Sequence, residues 1–226
     1  MAQRKNEPVR TKLEEVNESL TSTAQKLEEN KKYIYWVVGA IMAVVVLAGG
    51  YYYGIYKPNE AKAKDQIGQA DIEYLMQDTA KALKDYEKVC DEFSNKPAER
   101  AAFNAAIILY QQGKYKEAAK YLEDYDAAGN VVGPAAKSLL GDCYVNQKMY
   151  DKAISAFDAA IKMADKNQLY APTFMMKKAT VLHAQKKYAD EAAIYQDIKD
   201  NYIQYTQNYQ VNIDKYLERA LALSGK

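Results

Sequence analysis

Apolar and polar positions along the chain fall into three regimes. Residues 33–56, YIYWVVGAIMAVVVLAGGYYYGIY, hold no charge between Lys32 and Lys57. Before them, in an otherwise polar tail, Leu13, Val16, Leu20 and Leu27 recur at spacings of 3, 4 and 7. This marks one apolar face on a short helix. After Lys57 the apolar residues return at helical spacings again and again, in segments separated by turn residues.

A helix needs about 20 mainly apolar residues to cross a bilayer core, and Ile34 to Tyr53 supplies them. Tyr33, Tyr35 and Trp36 mark one end, and Tyr51, Tyr52, Tyr53 and Tyr56 the other. Such rings favour the interface, where the apolar body is buried and the polar tip stays wet. Lys31, Lys32 and Lys57 bracket the run, and Pro58 follows. Residues 33–56 are therefore expected to form a transmembrane helix. A cleaved signal peptide has a short basic start and a shorter apolar stretch, whereas here 32 mostly polar residues come first. Lysines near the span tie at three per side, Lys26, Lys31 and Lys32 against Lys57, Lys62 and Lys64. The short tail adds Arg4, Lys5, Arg10 and Lys12, which favours an internal N-terminus with the large domain across the membrane. Gly50 with Gly54, and Gly39 with Ala43, are weak small-residue pairs for helix association. In the tail, residues 1–32, Thr11 and Glu14 form a capping box. It reads equally as a membrane-surface docking helix or as a segment of transient helicity.

The clearest repeating unit is residues 139–162, LLGDCYVNQKMYDKAISAFDAAIK. Leu140-Gly141-x2-Tyr144, then Tyr150, then Ala153-x3-Phe157-x2-Ala160 match the core of the tetratricopeptide-repeat (TPR) pattern. Lys137 replaces its tryptophan and Asp165 its closing proline. Small Gly141 and Ala153 let two antiparallel helices approach, and Tyr144 and Phe157 fill the space between units. Aligned copies give Ala106, Leu109, Gly113, Tyr115, Ala118 and Leu122; Ala179, Leu182, Tyr188, Tyr195 and Ile198; and Ala70, Ala82, Tyr86 and Val89. Glu191 stands where a small residue is expected, which predicts a looser or shifted helix pair. From Tyr86 to Leu122, Phe157 and Tyr195 the steps are 36, 35 and 38 residues, near the roughly 34 of a TPR. Ser94-Asn95-Lys96-Pro97, Gly129-Asn130, Gly133-Pro134 and Pro172 are expected in linkers. Val211, Ile213, Tyr216, Leu217, Ala220 and Leu221 predict a helix that caps the stack.

The chain thus resembles the TPR superfamily over about residues 60–223. The expected fold is all-α: a right-handed superhelical stack of about four hairpins over residues 57–226, with a capping helix. Only 5 prolines and 10 glycines agree with helices in preference to tight β-turns. The layout also resembles the bacterial ancillary SecYEG translocon subunit family, with its short cytoplasmic tail, single inner-membrane helix and periplasmic TPR-like domain. That resemblance implies a chaperone-like role with secreted proteins, at the translocon or among periplasmic chaperones. Other classes remain: a structural TPR subunit of a cell-envelope or cell-division complex, or an organelle-surface import receptor with a cytosolic TPR domain.

In a TPR stack the first helix of each hairpin lines the concave face. The partner-binding groove is expected at Phe103, Ile107 and Tyr110, at Ser138, Asp142 and Val145, and at Met176, Thr180 and His183. Such a groove, apolar at one end, suits a peptide with apolar anchors. Packing between helices falls to Ala106, Gly141, Tyr144, Ala153, Phe157, Ala179, Tyr188 and Tyr195. The groove lacks the Lys, Asn and Arg of carboxylate-clamp TPRs, which argues against a chaperone-docking receptor.

Formal charge is +1, and residues 57–226 balance 24 basic against 24 acidic side chains. Neutralising nucleic-acid phosphates needs a positive excess, so nucleic acid is not an expected partner. Cys90 and Cys143 read as small buried hydrophobes. The only histidine, His183, has no metal-ligand spacing around it. No nucleophile elbow, phosphate loop or zinc motif occurs. Neither an enzyme, a cofactor, a metal nor a small-molecule substrate is expected.

Overall fold

The computed structural model describes residue 21 and residues 28–123, 125 and 132–225. The capping box, the apolar stripe of the tail and Gly129-Asn130 lie outside them. The chain divides into two units, Met1–Pro58 and Asn59–Lys226.

In the first unit α1 spans Lys31–Tyr51, and no residue along it is buried. It belongs to a helix long and apolar enough to cross a membrane. A single π-helical turn, Tyr52–Tyr56, follows, closed by the Lys57 amide donating to the Tyr52 carbonyl. Tyr52 and Tyr56 stack at 5.6 Å, and the Lys57 ammonium sits 5.9 Å from the Tyr52 ring. This leaves a polar, aromatic end on the apolar run.

In the second unit, helices follow one another through short turns: α2 (Lys57–Leu75), α3 (Thr79–Glu92), α4 (Lys96–Gln111), α5 (Tyr115–Glu123), α6 (Val132–Asn146), α7 (Tyr150–Met163), α8 (Tyr170–Ala184), α9 (Tyr188–Asn201), α10 (Ile203–Asn208) and α11 (Ile213–Ser224). Helices α4/α5, α6/α7 and α8/α9 form hairpins stacked in order, α11 packs on α9, and α2 pairs with α3 in one more hairpin, the first in chain order, through Tyr86 to Asp71 and Gln66 to Glu92. No strand occurs among the described residues.

Side chains set several helix ends. Asp78, Asn95 and Asn212 each cap a helix by accepting from the amide three residues on. Pro97, Gly133-Pro134 and Pro172 lie inside the first turns of α4, α6 and α8, and not in the linkers where they were expected. A proline there gives up no helical hydrogen bond, because the first amides have no partner in the helix. Within each hairpin the turn repeats. Gln77, Gly113, Lys148 and Lys186 all adopt positive φ, between 59° and 76°. At each, two backbone bonds close the preceding helix; at the second these are Gly113 to Tyr110 at 3.0 Å and Lys114 to Leu109 at 2.9 Å.

Counting from this left-handed residue, hairpins superpose in sequence. Seven before it stand Ala70, Ala106, Gly141 and Ala179, and nine after it Tyr86, Leu122, Phe157 and Tyr195. All eight are buried. Tyr144 is buried and Tyr188 half-buried. The bulky residues join two apolar clusters, one centred on α2–α7 and one on α8–α11 with the end of α7. Cys143 is buried and Cys90 half-buried; both are free thiols, and burial pushes each up to about 12.

In the fourth hairpin a large residue stands at a small-residue position. Glu191 occupies the position of Ala82, Ala118 and Ala153 yet is fully buried, and the turn before it keeps the shared geometry. Its carboxylate takes Arg219 of α11 at 3.2 Å on one oxygen and lies 2.8 Å from His183 Nδ1 on the other. Pairing both oxygens lets a carboxylate stand where its neighbours carry a methyl group.

Candidate protein-binding face

First helices of successive hairpins are tied to one another by polar rungs. Between α2 and α4, Asp71 accepts from Arg100, from Asn104 at 3.3 Å, and from the Tyr86 hydroxyl at 2.6 Å. From α6 to α4, Asn146 Nδ2 donates to the Tyr110 hydroxyl oxygen at 3.3 Å. From α8 to α6, Lys177 donates to Ser138 at 3.1 Å and to Asp142 at 2.5 Å. Burial raises the Asp142 carboxyl above its ordinary value, opposed by the charge and hydrogen bond of Lys177.

Of the nine groove residues expected from sequence, Ser138 and Asp142 are therefore engaged with Lys177. Ser138 is buried and Asp142 half-buried. Phe103, Tyr110 and Val145 are half-buried against the first cluster, and Met176 against the second. Phe103 leans on Tyr125 at 5.9 Å and Tyr110 on Tyr115 at 5.2 Å. Thr180 is exposed and donates to the Met176 carbonyl of its own helix at 3.0 Å. His183 faces Glu191 and the Tyr188 ring, 5.4 Å away.

Ile107 is differently placed. With Asp71, Tyr74, Leu75, Tyr86 and Asn104 it lines a cleft of about 310 Å³ at the first joint of the stack. Asp71, Tyr86 and Asn104 bond one another in this wall, so the cleft presents mainly carbon. Asp71, Arg100, Asn104 and Lys177 were missed by sequence reasoning. The signal was there: Asp71 and Asp142 both stand six residues before the left-handed turn, and Asn104 and Lys177 both nine before theirs. Among the described residues no group of three or more His, Cys, Asp or Glu side chains is placed to hold a metal.

This arrangement of four hairpins and a cap defines a helical-repeat scaffold. Its sequence matches the Tetratricopeptide repeat family model over residues 139–206. It also matches the model described as Anaphase-promoting complex, cyclosome, subunit 3, over residues 75–160. No curated protein matches the chain in sequence. Among solved structures it is similar to a Podosopora anserina kinesin-light-chain protein with nearly identical TPR-like repeats, at 12% identity and a TM-score of 0.54, over 73% of this chain and 87% of that one. It is similar to a MamA RS-1 double mutant at 16% identity and 0.52, over 77% and 92%. It is also similar to YrrB, a TPR protein with an unusual peptide-binding site, at 14% identity and 0.51, over 77% and 93%. Family matches and fold together support the TPR superfamily.

Proposed function

We propose that residues 57–226 form a non-catalytic, protein-binding TPR scaffold tethered to a bilayer by residues 33–56. The observation that carries this reading is the cleft at Ile107, an apolar recess in whose wall Asp71, Tyr86 and Asn104 are already paired with one another. Such a face holds its shape without a ligand and accepts an apolar anchor from a peptide. The half-buried Phe103 and Tyr110 extend it along α4, and peptide binding has a precedent on this fold in YrrB. The absence of any burial along α1 supports an anchor. The arginines and lysines of the tail support a cytoplasmic N-terminus and a periplasmic domain in a bacterial inner membrane. Clients or subunits of the secretion translocon are the partners this layout suits.

The test has two arms. A phosphatase reporter fused after Lys226 is expected to be active only across the membrane from the tail; cytoplasmic activity overturns the orientation. A photo-crosslinking residue at Ile107 in the full chain is expected to capture secreted proteins in transit and translocon subunits. Capture of one stoichiometric envelope protein and nothing else points instead to a structural subunit.

A further inference from the structure

Among the described residues no hairpin precedes the first, and its outer face differs from the same face of its sisters. In α4 the residues turned toward the preceding hairpin are Ala98, Ala101, Ala105 and Ile108, and in α6 Gly133, Ala136, Leu140 and Cys143. All are buried. In α2 the matching positions are Lys62, Asp65, Gln69 and Ile72. The first three are exposed and polar, as the bare end of a repeat stack requires. Ile72 breaks that pattern. It is 53% exposed, whereas its equivalents Ile108, Cys143 and Val181 are 1%, 0% and 3% exposed.

The next turn sharpens the contrast. The residue before the left-handed turn is glutamine in the other three hairpins: Gln112, Gln147 and Gln185. Two of these reach back to the start of the preceding hairpin's second helix. Gln147 donates to the Tyr115 carbonyl at 3.3 Å, and Gln185 to the Asp151 carboxylate at 3.1 Å. In the first hairpin this residue is Met76, 75% exposed, beside Leu75 at 79%. Ile72 and Met76 thus stand exposed where the fold elsewhere places a contact with a neighbouring helix, and exposed Leu75 lies beside them.

We propose that Ile72, Leu75 and Met76 form a docking surface for an amphipathic helix of a partner protein, seated where the second helix of a preceding hairpin would lie. The occupant is helical because the second helix of the preceding hairpin covers Ile108, Cys143 and Val181, the equivalents of Ile72, at the other joints. Its apolar stripe is short, since Gln69, Asp65 and Lys62 bound the patch. A head-to-tail copy of this chain is the poorer occupant, because α11 closes the far end and sets Asp214, Lys215, Glu218 and Arg219 around its exposed Tyr216 and Leu223. Methionine adapts its unbranched side chain to varied partners, which suits a surface that re-packs against different helices. Leu75 also lines the groove around Ile107, whereas Ile72 and Met76 lie outside it.

The test uses the full chain in nanodiscs and a fluorescent, helix-stapled 14-residue peptide with leucines at i, i+3, i+4 and i+7. A scrambled peptide without the stripe is the control. Anisotropy is expected to report binding of the striped peptide alone. Ile72→Asp and Met76→Gln, the latter installing the sister residue, are each expected to weaken it at least tenfold. Both positions are exposed, and unchanged far-UV circular dichroism confirms folding. Ile107→Asp is expected to leave this binding intact while abolishing groove crosslinks from a photo-crosslinking residue placed at Tyr110, so the two surfaces fail separately. Binding that ignores Ile72→Asp, equal binding of the scrambled peptide, no binding at all, or a dimer dispersed by Ile72→Asp overturns the proposal.

Discussion

A Cβ placed on Gly141 would fall 2.6 Å from Cε1 of Phe157 and 2.8 Å from two more atoms of the same ring. The ring of α7 therefore occupies the volume that any side chain on α6 would need, and the two helices approach as closely as they do because that side chain is missing. Gly141→Ala is expected to gain about 1 kcal/mol of helix propensity and lose about 2–3 kcal/mol to overpacking. The net loss of about 1–2 kcal/mol is read from the urea midpoint. Phe157→Leu in the same chain is expected to recover part of it. A midpoint unmoved by Gly141→Ala alone would show that the ring yields freely.

The four hairpin turns share a left-handed residue, yet only Gly113 is a glycine. Lys148 pays a steric cost of about 1–2 kcal/mol at φ 59° that glycine escapes. Lys148→Gly is expected to be neutral or stabilising by up to about 1 kcal/mol, because freedom gained by the unfolded chain offsets part of the relief. Gly113→Ala is expected to destabilise by about 1 kcal/mol or more, with space around it open. Thermal melts of the two variants that shift in the same direction would remove backbone strain as the cause.

Much of this fold was legible in the sequence because TPR packing is local. Small Ala106, Gly141 and Ala179 and bulky Leu122, Phe157 and Tyr195 lie within one hairpin of each other, so spacing alone places them. The same steps of 36, 35 and 38 residues separate the left-handed turns from Gln77 to Lys186. The prolines misled because a helix's first turn tolerates them as well as a linker does. The polar rungs were harder to see. Lys177 bonds residues 39 and 35 positions away, and only the stacking of one hairpin on the next brings them together. Glu191 was recognised as anomalous, but its partner Arg219 lies on the capping helix, whose seat on α9 is not encoded in the repeat. Ile72 gave no signal at all, since an apolar residue at that position is normal wherever a preceding hairpin covers it.

Asp142 gives the scaffold a dependence on pH. Burial raises its carboxyl above the ordinary 3.8, even with Lys177 against it. A native value above the unfolded one means that the folded state holds the proton more tightly. Ionised Asp142 thus weakens the fold at pH above its native value, and the penalty fades as pH falls through the range down to 3.8. Asp142→Asn keeps an acceptor for Lys177 without ionising. It is expected to be at least as stable as the parent near pH 7, and to lose its relative advantage by about pH 3. An advantage that grows toward acid would contradict the sign.

Glu191 poses a choice between two ways of disturbing one buried group. Removing the carboxylate and removing its partner are not equivalent, because a buried charge left unpaired costs more than the pair contributes. Glu191→Ala installs the residue that Ala82, Ala118 and Ala153 place at the same position. It frees Arg219, whose side chain is about half exposed and can turn to water. Arg219→Met instead leaves the fully buried carboxylate with the His183 ring and the Tyr195 hydroxyl as its remaining polar neighbours. Arg219→Met is therefore expected to destabilise more than Glu191→Ala, by about 1–3 kcal/mol once the exposure of the arginine is allowed for. In the double variant the orphaned charge is gone. Its stability is expected to lie near that of Glu191→Ala, giving a coupling about as large as the whole cost of Arg219→Met in a double-mutant cycle. The loss is expected to concentrate in α9–α11, so amide exchange there rises in Arg219→Met while α2–α5 stay protected. Additive single effects, or exchange that rises uniformly along the stack, would mean that the carboxylate does not pin the capping helix.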